Sequence, residues 1–236
     1  MLSRTGAALV AEAVGTFLFF FVGMGAVVLN THTDGGVGLL GIALAHGLAL
    51  AVLVSAFGAV SGGHFNPAVT VAVRLAGRIE WSRAVLYVIA QLVGAVAAAL
   101  ALRWIFPTPS WAPSAIGTPA LDPSIGLARG IAVEAVLTLL LVLTVFGTAV
   151  DPRAPRIGGL AIGLAVAADI LMGGPLTGAA MNPARWFGPA VASGTYADWY
   201  VWWIGPLLGA IVAAAIYRYA LEDRGSATVT PATPEG

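Results

Sequence analysis

Twice in this chain an Asn-Pro-Ala triplet opens a short apolar run: Asn66-Pro67-Ala68 in "SGGHFNPAVT" and Asn182-Pro183-Ala184 in "TGAAMNPARWFGPA". Asn is a preferred helix N-cap and Pro is preferred at the first helical position, so each triplet reads as a helix start. The setting turns these starts into a constraint. The chain is 59% hydrophobic and 9% charged over 236 residues, with a mean hydropathy of +0.92, whereas soluble domains carry roughly 25% charged residues. Such a chain belongs in a bilayer, where non-helical backbone is tolerated only if protein buries it or it lines a wet cavity. Two helix starts at that depth demand an unusual interior.

Windows long enough to cross about 30 Å of hydrocarbon fall near 7–29, 37–57, 84–106, 126–150, 157–176 and 199–220. The pieces 66–76 and 183–193 reach only about 16 Å as helices, half a bilayer. The expected fold is an all-α membrane protein: six transmembrane helices plus two re-entrant half-helices, one domain over 1–236. The first run contains Glu12 and has no convincing cleavage site, so it reads as a span and not a signal peptide. With the N-terminus inside, Arg4, Arg74, Arg78, Arg83, Arg153, Arg156, Arg218 and Arg224 fall on the cytoplasmic side. Only Arg103, Arg129 and Arg185 fall on the other side, a bias that places both termini in the cytoplasm. The Pro-rich connection 107–124 is then external, and the polar tail 221–236 is expected to be disordered. The zero net charge points to no nucleic-acid partner. With no Cys and only three His, neither a metal site, a cofactor nor enzyme chemistry is expected.

The chain repeats itself. "AEAVGTFLFFFVG" with Glu12 answers "VEAVLTLLLVLTVFG" with Glu134, and "AQLVGA" at 90–95 answers "GPLLGA" at 205–210. The offsets are 122 at the Glu, 116 at the Asn and 115 at the last pair. The first repeat covers about 7–106 and the second about 126–220, with three spans each. An odd number of spans forces the two halves into opposite orientations. The half-helices then enter from opposite faces, and their Asn-Pro starts meet near the midplane around a polar path. Each Asn caps its helix through its oxygen, which leaves the amide NH₂ for the pore. Two helix N-termini, each worth roughly half a positive charge, face one another and raise a barrier to cations and hopping protons.

The paired boxes, the Glu opening each half, "SGGHFNPAVT" and "NPAR" together resemble the aquaporin (major intrinsic protein) family, from about residue 8 to 218. Within it, "GGPLTGAAMNPARWFGPAV" and "SGGHFNPAVT" are most similar to the tonoplast-intrinsic type. The resemblance implies a right-handed six-helix bundle, usually a homotetramer with one pore per subunit, conducting water and small neutral solutes across the lipid bilayer. It implies a constriction outside the Asn-Pro-Ala centre. Counting places this at His46, twenty residues before Asn66, at Ile170, twelve before Asn182, at Ala179, and at Arg185. It also implies that Glu12 and Glu134 act as loop scaffold, holding backbone groups of the re-entrant loops, and that His64 pins the first loop.

This filter departs from the strict water channels of the family, which usually have an aromatic at the His46 position and a His at the Ile170 position. The apolar Ile170 and small Ala179 favour solutes slightly larger or less hydrated than water: ammonia, hydrogen peroxide or urea, with water also passing. A strictly water-selective channel, a glycerol-type channel or a coupled secondary transporter are the alternatives. Trp186 stands where glycerol channels have Asp and water channels Ser, so that position favours neither and reads as a core aromatic. Protonation of His46, whose ordinary value is about 6.5, would set a second cation beside Arg185 and lower flux. Asp169 adjoins Ile170 and pairs with a loop donor, pairs with Arg185, or faces away from the pore. Gln91 reads as a packing or hydrogen-bonding residue, and Gly159/Gly163 and Gly205/Gly209 as close-packing positions.

Overall fold

The computed structural model describes residues 3–155 and 157–222. Six helices are long and apolar enough to cross a membrane, with mean hydropathy between 1.6 and 2.3. They are α1 (Arg4–His32), α2 (Gly38–Ser61), α4 (Trp81–Ile105), α6 (Gly126–Val145, running on to Val150), α7 (Gly158–Thr177) and α9 (Val201–Ile216, running on to Leu221). Between them lie two half-length helices, α3 (Pro67–Leu75) and α8 (Pro183–Ser193), and the short α5 (Thr108–Trp111). Among the described residues there is no strand. Arg156, Arg224 and the tail from 223 onward lie outside the described residues. Leu221 and Glu222 are placed: Leu221 closes a π turn and Glu222 pairs with Arg78.

The outside of the bundle is greasy, as a lipid-facing surface must be. Val10, Val14, Leu18 and Val22 of α1 recur every four residues and are exposed, as are Leu44, Leu48 and Val52 of α2. The buried faces are built from small residues that let backbones touch. A Cβ built on Gly47 would stand 2.6 Å from the Gly163 carbonyl, and one on Gly163 2.2 Å from the Gly47 carbonyl, which locks α2 onto α7. The internal repeat is visible in the same currency. A Cβ on Gly94 would meet the Ala13 carbonyl at 2.3 Å, and one on Gly209 the Ala135 carbonyl at 2.1 Å. So α1 packs on α4 as α6 packs on α9.

The helices α6 and α9 both finish in π turns, Phe146–Val150 and Tyr217–Leu221, with Phe146 and Tyr217 stacked at 4.5 Å. Just beyond them Asp151 receives Arg153 in a fork of 2.9 and 2.6 Å, and Arg153 also donates to the Leu221 carbonyl at 2.9 Å. At the opposite face, the Pro-rich connection folds back into the bundle. Its residues Ala115, Ile116 and Gly117 all take left-handed φ values of 47°, 58° and 74°. Ile116 is fully buried, and this anchor offsets the strain of a β-branched residue in that conformation.

Candidate functional site

The two half-helices start against each other at the centre of the bundle. The Asn66 Oδ1 accepts from the Ala68 N–H at 2.8 Å, and Asn182 Oδ1 from the Ala184 N–H at 3.0 Å. The side-chain amides then cross between the loops. The Asn66 Nδ2 donates to the Met181 carbonyl at 2.9 Å, and Asn182 Nδ2 donates to the Phe65 carbonyl at 3.0 Å. Each NH₂ thus gives one hydrogen to the facing loop and keeps only the other for the cavity that both Asn line. Reading each Asn alone as a cap with a wholly free NH₂ misses this crossing. Phe65 and Met181 sit at φ 47° and 52°, a turn that aims both carbonyls across the axis.

Two buried carboxylates hold the loops in this shape. Glu12 accepts from the backbone N–H groups of His64 (3.0 Å) and Phe65 (2.8 Å), from the Ser61 hydroxyl (2.6 Å) and from Gln91 Nε2 (2.7 Å). Glu134 accepts from the N–H groups of Ala180 (2.9 Å) and Met181 (2.7 Å) and from the Thr177 hydroxyl (2.7 Å). Both are fully buried, and a buried charge persists only when its oxygens are satisfied in this way. Ser61 and Thr177, Gly62 and Gly178, Phe65 and Met181, and Asn66 and Asn182 all pair at the offset of 116 found at the Asn boxes. The loops are therefore copies, each built on its own Glu. His64 braces the first loop through Nδ1, 3.1 Å from the Thr70 hydroxyl, with its ring edge-on to Tyr87.

His46, Ile170, Ala179 and Arg185 are all buried and line the same cavity, of about 350 Å³. The cavity continues past Asn66 and Asn182 to Arg78, Arg83 and Tyr87 at the arginine-rich face. Arg185 comes from the first turn of α8 and His46 from the first half of α2. The Arg185 Nε donates to His46 Nε2 at 3.2 Å, and its Nη1 donates to the Gly117 carbonyl at 2.7 Å. A guanidinium only donates, so His46 Nε2 must be an acceptor. The proton then sits on Nδ1, which donates to the Ile42 carbonyl at 2.9 Å. Both ring nitrogens are engaged, and the imidazole is held neutral. A second proton would have to displace Arg185, which removes the geometric basis for a pH switch at His46.

Other expectations resolve differently. Trp186 packs away from the cavity, stacked on Trp202 at 5.8 Å with 8° between planes. Asp169 is buried, does not line the cavity and makes no ion pair with Arg185; its Oδ2 has no hydrogen-bond partner. Two contributors escaped the sequence reading. Gly117 offers its carbonyl to Arg185 from a remote connection, and no local pattern marks it. Phe19 of α1 lines the cavity beside His46, edge-on at 6.1 Å; its place on an apolar helix looks like any other core position.

Against known proteins, the Major intrinsic protein family profile matches residues 3–217. The chain is 46% identical to aquaporin TIP4-4 of Zea mays over 217 residues, covering 89% of this chain and 84% of that protein. It is 44% identical to the lens fiber major intrinsic protein of Gallus gallus, over 92% of this chain and 82% of that one. Its fold is similar to the X-ray structure of the aquaglyceroporin from Plasmodium falciparum, with a TM-score of 0.79, 26% identity and coverage of 92% and 97% of the two chains. A match across nearly the whole length, on a bundle whose two half-helices meet at Asn66 and Asn182, means that this chain belongs to the major intrinsic protein (aquaporin) family.

Proposed function

We propose that this integral membrane protein, a passive channel for water and small neutral solutes, selects among them at His46, Ile170, Ala179 and Arg185 and orients them at Asn66 and Asn182. One observation carries the reading: both asparagines and all four filter side chains line one cavity. A permeating molecule meets three kinds of surface there. Arg185 offers its unused N–H groups and a fixed positive charge, which favours polar neutral solutes and repels cations. Ile170 and Ala179 supply an apolar, uncrowded side. At the centre, the spare hydrogens of Asn66 and Asn182 point a water's oxygen towards themselves. The facing helix ends, roughly half a positive charge each, disfavour a cation or a hydronium passing between them.

The apolar Ile170 and the small Ala179 support passage of ammonia, hydrogen peroxide or urea as well as water. Osmotic water flux and urea or ammonia flux into liposomes holding the purified protein test this. Fast flux of both is expected; water alone overturns the breadth and leaves a strictly water-selective channel, and glycerol flux above urea flux replaces the reading with a glycerol-type channel. Flux that needs an ion gradient identifies a coupled transporter instead. We further place both termini in the cytoplasm, with the mouth at Arg78 and Arg83 inside, and expect a homotetramer with one pore per subunit. The chain lacks Cys, so single cysteines placed at the exposed Thr108 and Ser82 report sidedness through an impermeant thiol reagent: labelling of intact cells at Thr108→Cys only is expected.

A further inference from the structure

We infer that Gly23 is a positioning residue for selectivity: the side chain it lacks sets how far the His46 imidazole stands back from the filter. The inference rests on His46 belonging to that filter. A Cβ built on Gly23 would lie 2.4 Å from His46 Cδ2 and 2.5 Å from its Nε2, where carbon atoms in contact need about 3.5–4.0 Å. The imidazole therefore sits in a notch cut into α1. Its other sides are occupied. Nδ1 is tied to the Ile42 carbonyl at 2.9 Å, Nε2 receives Arg185 at 3.2 Å, and the Phe19 ring, one turn before Gly23, stands edge-on at 6.1 Å. The helix α1 cannot back away to make room, because α4 closes on its Ala13 carbonyl, 2.3 Å from a Cβ built on Gly94. A methyl group at position 23 leaves the imidazole only the cavity side to move into, by about 1 Å. That is the space shared with Ile170, Ala179 and Arg185. Solutes wider than water lose passage first, and urea is the sensitive probe.

The experiment compares urea and water flux in liposomes bearing wild type, Gly23→Ala, His46→Ala and the double variant. Gly23→Ala is expected to lower urea flux about tenfold, as one overpacked methyl group can impose, and water flux less, so the urea-to-water ratio falls. With His46→Ala in place the same methyl group has nothing to push, and the ratio is expected not to respond to it. An unchanged ratio in Gly23→Ala overturns the inference, as does an equal drop in the absence of the imidazole, which would mean that the methyl acts through the fold at large. The His46→Ala arm reports separately on the filter: if it alone leaves the ratio at the wild-type value, His46 is no part of the filter. Should Gly23→Ala fail to assemble, restored assembly in the double variant supports the contact and continued failure overturns it.

Discussion

Replacing Glu134 by Gln keeps the shape of the second loop's anchor and removes one acceptor. The carboxylate serves three donors: Thr177 Oγ1 at 2.7 Å and the Ala180 N–H at 2.9 Å on Oε1, and the Met181 N–H at 2.7 Å on Oε2. A Gln amide has one oxygen and one NH₂. With its oxygen in the Oε1 place, the NH₂ faces the Met181 N–H; reversed, it faces the Ala180 N–H. The Thr177 hydroxyl can turn and accept, but a backbone N–H cannot. Either orientation leaves one buried N–H unpaired, at about 1–3 kcal/mol, and weakens the remaining bonds by taking away the charge. Some 2 kcal/mol is about the least this should cost, which for a chain of this length lowers the melting temperature by about 4–8 °C.

The assay is thermal unfolding of purified Glu134→Gln in detergent, with water flux in liposomes alongside. Flux is expected to fall too, because the same two N–H groups position the Met181 carbonyl that holds Asn66. Glu12→Gln supplies an internal check on the reasoning. Glu12 serves four donors, one of them the Gln91 amide at 2.7 Å, so its loss should lower the melting temperature at least as much. Melting within about 1 °C of wild type, far under the range above, together with unchanged flux in Glu134→Gln would refute the idea that the carboxylates shape the loops.

Other outcomes follow from the same geometry. Arg185→Val takes a cation from the proposed filter and frees the Gly117 carbonyl and His46 Nε2; urea flux is expected to rise and cation leak to appear, and an unchanged solute ratio in the liposome assay would contradict that proposal. Gly163→Val drives a side chain into the Gly47 carbonyl and is expected to cost about 1–3 kcal/mol or more, whereas Gly147→Ala meets nothing within 4 Å and should be neutral or stabilising by up to about 1 kcal/mol in the helix; melting of the two variants separates them. Water flux is expected to be flat from about pH 5 to 8, since both His46 nitrogens are engaged and the imidazole would otherwise titrate near 6.5. At the arginine-rich face, hydrogen bonds from the Arg153 guanidinium and N–H hold the Asp151 carboxyl well below the usual carboxylate range. A carboxyl lowered on folding stabilises above its unfolded value of about 3.9 and loses that contribution as the pH falls further. Wild type should therefore melt above Asp151→Asn by a constant margin at neutral pH, and the margin should shrink below about pH 4.

The spans and half-helices were legible in the chain itself because bilayer thickness and helical rise leave few choices. An apolar window of the right length crosses, one of half that length turns back, and Asn-Pro marks where the turn ends. The inverted repeat was equally legible, since the Glu, Asn and Gly positions recur at nearly one offset. What those residues touch was not. The sequence alone leaves each Asn amide free, yet the structure spends one hydrogen of each on the opposite loop, a contact across more than a hundred residues that no local pattern encodes. Phe19 and Gly23 look like ordinary positions of an apolar helix until α2 is laid against α1 and the imidazole is found between them. Gly117 lies in a connection whose prolines announce only a loop; three left-handed residues and a buried Ile116 bring its carbonyl to Arg185. Periodicity and capping are properties of neighbours along the chain. The width of a pore is a distance between side chains from four separate segments, and only their packing determines it.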